Sequence, residues 1–309
     1  MTNNKQNRGN DGARYDKRVD IVGRLQNRSA LGKDAEKRLV ECILADLHFA
    51  TYAPIADIAT RAEVSEPTVT RLARALGFSG TREMKFHLAQ SLAIGGAYLR
   101  SSAQMANENR PLDEVISKVS EGAHAALELM SVALSEIDLP AITTAIAEAN
   151  QILVYGTGGS SSMAAVELQN RLFRLGLHVS AHTDPQLQRM SASVLETGAL
   201  VIAFSISGHA RSVIDAVSIA QQYNAKVIVV TSLGSPLADA GDILFPLTFK
   251  EDRDLYKPTS TRYAMLAAVD FLAMGTAVSM GPKVLERLRR VRQSLASQDI
   301  GYPELPLGD

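Results

Sequence analysis

The chain has 309 residues, 46% of them hydrophobic and 21% charged, with a formal net charge of −1. That length accommodates two domains with a sizeable core, and the composition is that of an ordinary soluble protein. The charge is uneven: residues 1–85 hold 15 Lys and Arg against 11 Asp and Glu, whereas residues 86–309 hold 17 against 22. A mildly basic head on an acidic body suits a head that meets a polyanion.

Residues 1–16 are rich in Asn, Gly and charge and are expected to be a disordered tail. Their polar, basic character, with no apolar run, argues against a signal peptide. A first helix is expected over about 17–28 and a second over about 33–48, with Leu39, Val40, Ile43, Leu44 and Leu47 inward. The single cysteine, Cys42, falls in that apolar pattern and reads as a small buried hydrophobe. It has no partner for an internal disulfide, which points to a reducing, cytoplasmic compartment.

Residues 55–76 are the most informative stretch. Ala59 is small where two helices must cross, Val64 closes a turn, and Val69, Leu72 and Leu76 form one apolar stripe. Ser65 is a good N-cap and Pro67 sits in a first turn. The opposite face carries Thr68, Arg71 and Arg74, with Thr70 near its edge. A helix held by a scaffold on one side and presenting Thr and Arg on the other fits the DNA major groove, which makes this a helix-turn-helix. The bland alternative is a helical hairpin with solvated arginines. Glu63 stands in the turn where many such motifs have Gly, at some cost in a left-handed conformation.

Gly77-Phe78-Ser79-Gly80 ends that helix, and Thr81 starts another with Met84, Leu88 and Leu92 inward. Residues 95–112, with Gly, Ser, Asn and Pro, read as a linker between a DNA-binding domain at 17–94 and a second domain at 113–295. Two helical patterns cover 113–149, and strands then alternate with helices: about 152–155, 177–181, 200–204, 227–230 and 243–247 are the strands. This rhythm implies a parallel sheet with helices on both faces and a ligand site beyond the strand C-termini. The apolar run at about 263–280 contains Asp270 and several Gly, Ser and Thr, and reads as a buried helix, not a membrane span. Residues 296–309 are left as a C-terminal tail. No cofactor is implied, and His178 and His182, on a strand pattern, are too far apart to share a metal easily.

Three small-polar loops follow predicted strands at 156–162, 205–208 and 231–235, each leading into a helix. Backbone N–H groups and the helix dipole there favour an anion, and Ser and Thr hydroxyls add directed hydrogen bonds. Gly156 and Gly158 let the backbone approach a ligand, with Ser160, Ser161, Ser205, Ser207 and Ser232 as candidate donors. A phosphate with a polyol body is the natural occupant. Gly156-x-Gly158 lacks the third glycine of a dinucleotide fingerprint, and no Gly-Lys-Ser/Thr follows for a P-loop.

These residues resemble the RpiR family of bacterial transcription regulators. Val64-Ser65-Glu66-Pro67-Thr68-Val69-Thr70-Arg71, then Leu76-Gly77-Phe78-Ser79-Gly80 and Lys85, are similar to the family's DNA-binding signature. Gly156-Thr157-Gly158-Gly159-Ser160-Ser161, Ser205-x-Ser207-Gly208 and Thr231-Ser232-x-x-Ser235-Pro236-Leu237-Ala238 resemble the ligand loops of its sugar isomerase (SIS) domain. Ala89-Gln90-Ser91-Leu92-Ala93 and Gln188-Arg189-Met190 are most similar to the hexose-catabolism branch, and Thr259-Ser260-Thr261-Arg262 more weakly so. The resemblance implies an all-α helix-turn-helix domain followed by an α/β SIS domain. It also implies a phosphorylated sugar or sugar acid as effector, and places Ser160, Ser205 and Ser207 on it. Lys85 is then expected on a DNA phosphate. Family members often have Ser-Gly-x-Thr in the second loop, where this chain has Ser207-Gly208-His209-Ala210. The competing function is a sugar-phosphate isomerase with an accessory domain, using Glu251 or His209 as base. A metabolic isomerase has no need of the N-terminal motif, so a non-enzymatic regulator is favoured. One DNA-reading head contacts too little DNA for specificity, so a homodimer or homotetramer on a palindromic operator is expected, with no membrane partner.

Overall fold

The computed structural model describes residues 19–105, 112–249 and 260–296. The chain divides into two compact units, one up to Arg110 and one from Pro111. The expected tail at 1–16 lies outside the described residues, as do all of the expected tail at 296–309 except Ala296, which ends a helix, and the run containing Glu251.

Among its described residues the first unit has helices and no strand: α1 (Ile21–Leu31), α2 (Asp34–Ala45), α3 (Leu47–Tyr52), α4 (Ile55–Arg61), α5 (Glu66–Ala75) and α6 (Thr81–Met105). Its core joins Ile21 and Leu25 of α1, Leu39, Val40 and Ile43 of α2, Ile58 and Ala59 of α4, Val69 and Leu72 of α5, and Met84 and Leu88 of α6. The 3.6-residue spacing of these side chains is what closes the bundle. Polar residues fix the helix ends. Asp46 caps α3 by accepting the Phe49 N–H at 2.9 Å. Arg24 donates to the Leu76 carbonyl at 2.7 Å, closing the end of α5 beside Gly77 (φ 92°). Two expectations shift. The first helix starts and ends three to four residues later than its apolar pattern suggests, because Asp20 caps it through the Gly23 N–H. The stretch expected as a linker from residue 95 is helical as far as Met105. Gly95 and Gly96 are tolerated inside a helix that continues an already formed turn.

The second unit begins with α7 (Leu112–Leu134) and α8 (Leu139–Glu148). Then come β1 (Gln151–Gly156), α9 (Gly159–Leu172), β2 (Val179–His182), α10 (Pro185–Ala192), β3 (Ala199–Ser205), α11 (Arg211–Gln222), β4 (Lys226–Thr231), α12 (Pro236–Ala240) and β5 (Ile243–Pro246). The unit closes with α13 (Ser260–Met280) and α14 (Lys283–Ala296). All five strands are parallel, in the order β2-β1-β3-β4-β5. Successive residues of a strand face opposite sides, and both sides are buried. Ile152, Val154, Ile202, Phe204, Ile228 and Val230 pack under α9 and α13. Leu153, Tyr155, Val201, Ala203, Val227 and Val229 pack under α10, α11 and α12. Helix α13 is long and apolar enough to cross a membrane, as is the bent pair α7–α8. In the fold α13 inserts Ala264, Met265, Ala268, Val269 and Leu272 into the sheet's core, the buried role expected for it.

The chain leaves β1 towards β2 on one side and returns to β3 on the other. The strand order therefore reverses between β1 and β3, and their C-terminal ends open the crevice in which doubly wound sheets bind ligands.

Candidate effector and nucleic-acid sites

In the first unit, α4 and α5 are joined by Ala62-Glu63-Val64-Ser65. Glu63 is left-handed at φ 52°, so the chain makes the tight turn without the usual glycine. Its carbonyl accepts from Arg38 at 3.3 Å. Ala59, 3% exposed, lies at the helix crossing, and Val64 packs half-buried behind the turn. Ser65 is the N-cap residue of α5, yet its hydroxyl does not cap the helix. It lies 2.9 Å from the Thr68 hydroxyl, which accepts from Arg71 at 3.0 Å. Ser65, Thr68 and Arg71, three residues apart, thus form one hydrogen-bonded row along the outer face. Thr70 turns back to the Glu66 carbonyl, and Arg74 is exposed in the last turn.

Lys85, expected on a DNA phosphate, lies half-buried on α6. Its ammonium donates to the Ala53 carbonyl at the end of α3, and burial pushes its pKa down. A half-buried cation at this helix end ties α6 to α3.

In the second unit, the loop after β1 leads into α9. Any side chain at Gly156 would place Cβ 2.1 Å from the Ser161 carbonyl oxygen, and Gly158 has φ 79°. Both positions require glycine. Gly158 caps α9 without a side chain, and the Ser162 N–H is the first to find a helical acceptor, the Gly158 carbonyl. The N–H groups of Gly159, Ser160 and Ser161 are thus the open donors at this helix start. Among the described residues, the hydroxyls of Ser160 and Ser161 have no hydrogen-bond partner.

The second and third loops are built differently. Ser205, 4% exposed, accepts the Gly208 N–H at 3.1 Å. Ser207 is exposed and accepts the His209 N–H at 3.3 Å, while the His209 ring Nδ1 lies 2.6 Å from the Ser207 carbonyl. Gly208, at φ 67°, packs so closely that a Cβ would come within 2.0 Å of the Ser235 Oγ. Ser232 donates to the Ile206 carbonyl at 2.6 Å, and the Leu237 N–H donates to Gly208 at 3.1 Å. Loops two and three are therefore stapled to each other. The seven expected ligand residues all come to the C-terminal edge of β1, β3 and β4. Ser205, Ser207 and Ser232 already serve the loops' own geometry.

Sequence reasoning gave Gln188 no role of its own, naming it only within a family resemblance. It is fully buried, and its side chain bonds to Gly156, Thr157 and His182. The available signal was an amide inside the apolar pattern of a short helix. Two further groups line the ends of β1 and β2. Burial pushes the Tyr155 phenol up to about 12, and its hydroxyl lies 3.1 Å from Ser191. Burial also lowers the His182 pKa. No group of three or more His, Cys, Asp or Glu able to hold a metal occurs among the described residues.

Residues 20–95 match the helix-turn-helix domain of the rpiR family, and residues 145–275 match the SIS domain. The chain is 34% identical to the HTH-type transcriptional regulator HexR of Pseudomonas aeruginosa, over 89% of this chain and 95% of that one. It is 31% identical to HexR of Escherichia coli over 94% and 99%. The chain belongs to the RpiR family of transcriptional regulators. Its RpiR-type architecture also occurs within a longer protein. The Bifunctional protein glk of Burkholderia thailandensis is 32% identical over 82% of this chain, which spans 39% of it. Among solved structures, NanR of Vibrio vulnificus, complexed with ManNAc-6P, is similar in fold. Its TM-score is 0.54 at 23% identity, over 91% of this chain and 100% of that one. This RpiR-family chain is thus a DNA-binding regulator with an all-α head and an α/β SIS unit, as its motifs led one to expect.

Proposed function

We propose that this protein regulates genes of carbohydrate metabolism from the cytoplasm, and that a phosphorylated sugar or sugar acid in the SIS crevice changes its hold on DNA. The observation that carries the effector class is the start of α9: three open backbone N–H groups and two unpartnered serine hydroxyls at the strand-order reversal. A phosphate dianion satisfies all of these donors at once, and the helix dipole adds to the attraction. NanR, which shares the fold, binds ManNAc-6P, and that supports the class of ligand.

Binding without turnover is the fitting chemistry. Aldose–ketose isomerisation needs a base poised between two carbons. Tyr155 is held protonated by burial and so is no base near neutral pH. The protein reads DNA as a homodimer or homotetramer on a palindromic operator, since one head covers only a half-site. A thermal-shift screen of phosphorylated sugars and sugar acids tests the effector reading. A ligand bound only by the folded state raises the melting temperature, and it should also alter operator binding in a gel shift. A screen in which no phosphorylated compound shifts the melting temperature rejects it.

A further inference from the structure

Helix α10 carries a glutamine that the apolar core has no use for. Gln188 is 0% exposed. Its Nε2 lies 2.8 Å from the His182 carbonyl, 3.1 Å from the Thr157 hydroxyl and 3.3 Å from the Gly156 carbonyl. Two of these acceptors are backbone carbonyls, which only an NH2 group can satisfy, so the amide's orientation is fixed. Its Oε1 lies 3.4 Å from the same Thr157 hydroxyl. The side chain thus joins the last residue of β1, the first residue of the loop after it and the last residue of β2. Burial of an amide is costly unless its hydrogen bonds are made, and here they are made to the one loop whose donors remain open.

We infer that Gln188 is a positioning residue of the effector site, holding the loop Thr157–Ser161 in the geometry that receives the anion without touching the ligand. The inference rests on the reading of that loop as the effector site. The Thr157 hydroxyl has one proton, so it donates either to Gln188 Oε1 or to a ligand. When Nε2–H donates to a Thr157 lone pair, the proton is released towards the loop and the hydroxyl joins the donors at the start of α9. The second amide hydrogen then donates to the His182 carbonyl, the nearer of the two carbonyls, and keeps that acceptor turned away from the incoming anion. Two further links fix α10 itself: Ser191 to the Tyr155 hydroxyl, and Arg189 to Asp215 of α11 at 3.0 Å. Gln188 therefore projects from an anchored support.

Three variants of the full chain test this: Gln188→Met, Gln188→Glu and Thr157→Val. The readouts are amide hydrogen exchange of the ligand-free protein and calorimetric titration with glucose 6-phosphate, 6-phosphogluconate and inorganic phosphate. Gln188→Met should speed exchange at Ser162, whose N–H bonds the Gly158 carbonyl, by about tenfold or more, leave β3 unchanged, and weaken the phosphate-bearing probe about tenfold. Operator affinity without probe should match the parent's. Gln188→Glu sets a carboxylate against two carbonyls, so its affinity relative to the parent should recover as the pH falls towards 5 and the carboxyl regains a proton to donate. A merely structural role predicts no such recovery. Thr157→Val, on a half-buried loop, keeps the bonds to the carbonyls and should give a smaller loss. It carries the test if the Gln188 variants do not fold. Parent-like exchange and parent-like probe affinity in the variants overturn the inference. A parent that binds none of the three probes, while Gln188→Met loosens the loop, instead overturns the effector reading and leaves the hold on the loop standing.

Discussion

At the scale of single residues, both sites depend on which polar groups are already spoken for. On the recognition helix, Arg71 is held by Thr68, and Thr68 by Ser65, so the guanidinium is partly ordered before DNA arrives. Ordering in advance lowers the entropic cost of a bidentate contact to guanine. Arg71→Ala should cost about 1–3 kcal/mol on the specific operator and less than half of that on random DNA, read from competition gel shifts. Equal losses on both would assign Arg71 to the phosphate backbone. In the crevice, Ser160 has an uncommitted hydroxyl whereas the Ser205 hydroxyl builds its loop. Ser160→Ala should leave the melting temperature of the free protein within about 2 °C and cost about 1.5–3 kcal/mol of effector affinity. Ser205→Ala should lower both stability and response. An unchanged effector titration in Ser160→Ala would move the anion away from α9. Sequence alone placed these serines at one edge but could not rank them. Which hydroxyls are consumed locally depends on loop φ values such as Gly208's, and those follow from tertiary packing.

At the scale of elements, the legible parts were those with a strong period. The strands announced themselves as short unbroken apolar runs, because both faces of the sheet are covered, and the helix-turn-helix as a stripe, because burial there repeats every 3.6 residues. The stretch at 95–105 misled because Gly and Ser signal loops locally, while a preformed helix extends through them. The contact of Lys85 with the neighbouring helix end at Ala53 was not legible for a related reason: it joins residues 32 apart in sequence. Helix ends also carry the pH dependence. The backbone N–H of Phe49, and then Arg61 at 3.2 Å, hold the Asp46 carboxyl below its ordinary range. Its folded pKa is thus lower than its unfolded one. The stabilisation is complete above the unfolded value of about 4 and is lost as the pH falls through the folded value. Asp46→Asn keeps an acceptor for Phe49 but not the charge. The parent should therefore melt higher than Asp46→Asn at pH 7, and the gap should close progressively below about pH 4. A gap that stays constant down to pH 2 would mean that the charge contributes nothing to this cap.

At the scale of the whole molecule, two chemistries share one chain: a unit that reads DNA and a unit proposed to hold an anion. Thermodynamics constrains how occupancy of one bears on the other. If an effector changes operator affinity by some factor, operator must change effector affinity by the same factor, because both describe one coupling free energy. Typical couplings of about 1–3 kcal/mol correspond to roughly 5–150-fold. The effector's dissociation constant should therefore shift by the same factor, within error, when the protein is saturated with operator, and by much less with non-specific DNA of equal length. Calorimetric titration of the free and operator-bound protein measures one leg, and gel shifts with and without effector measure the other. If the ligand of the SIS crevice binds equally well with and without operator, then a ligand of equal affinity for both states shifts nothing. In that case the SIS unit would not be the switch for the DNA-reading head.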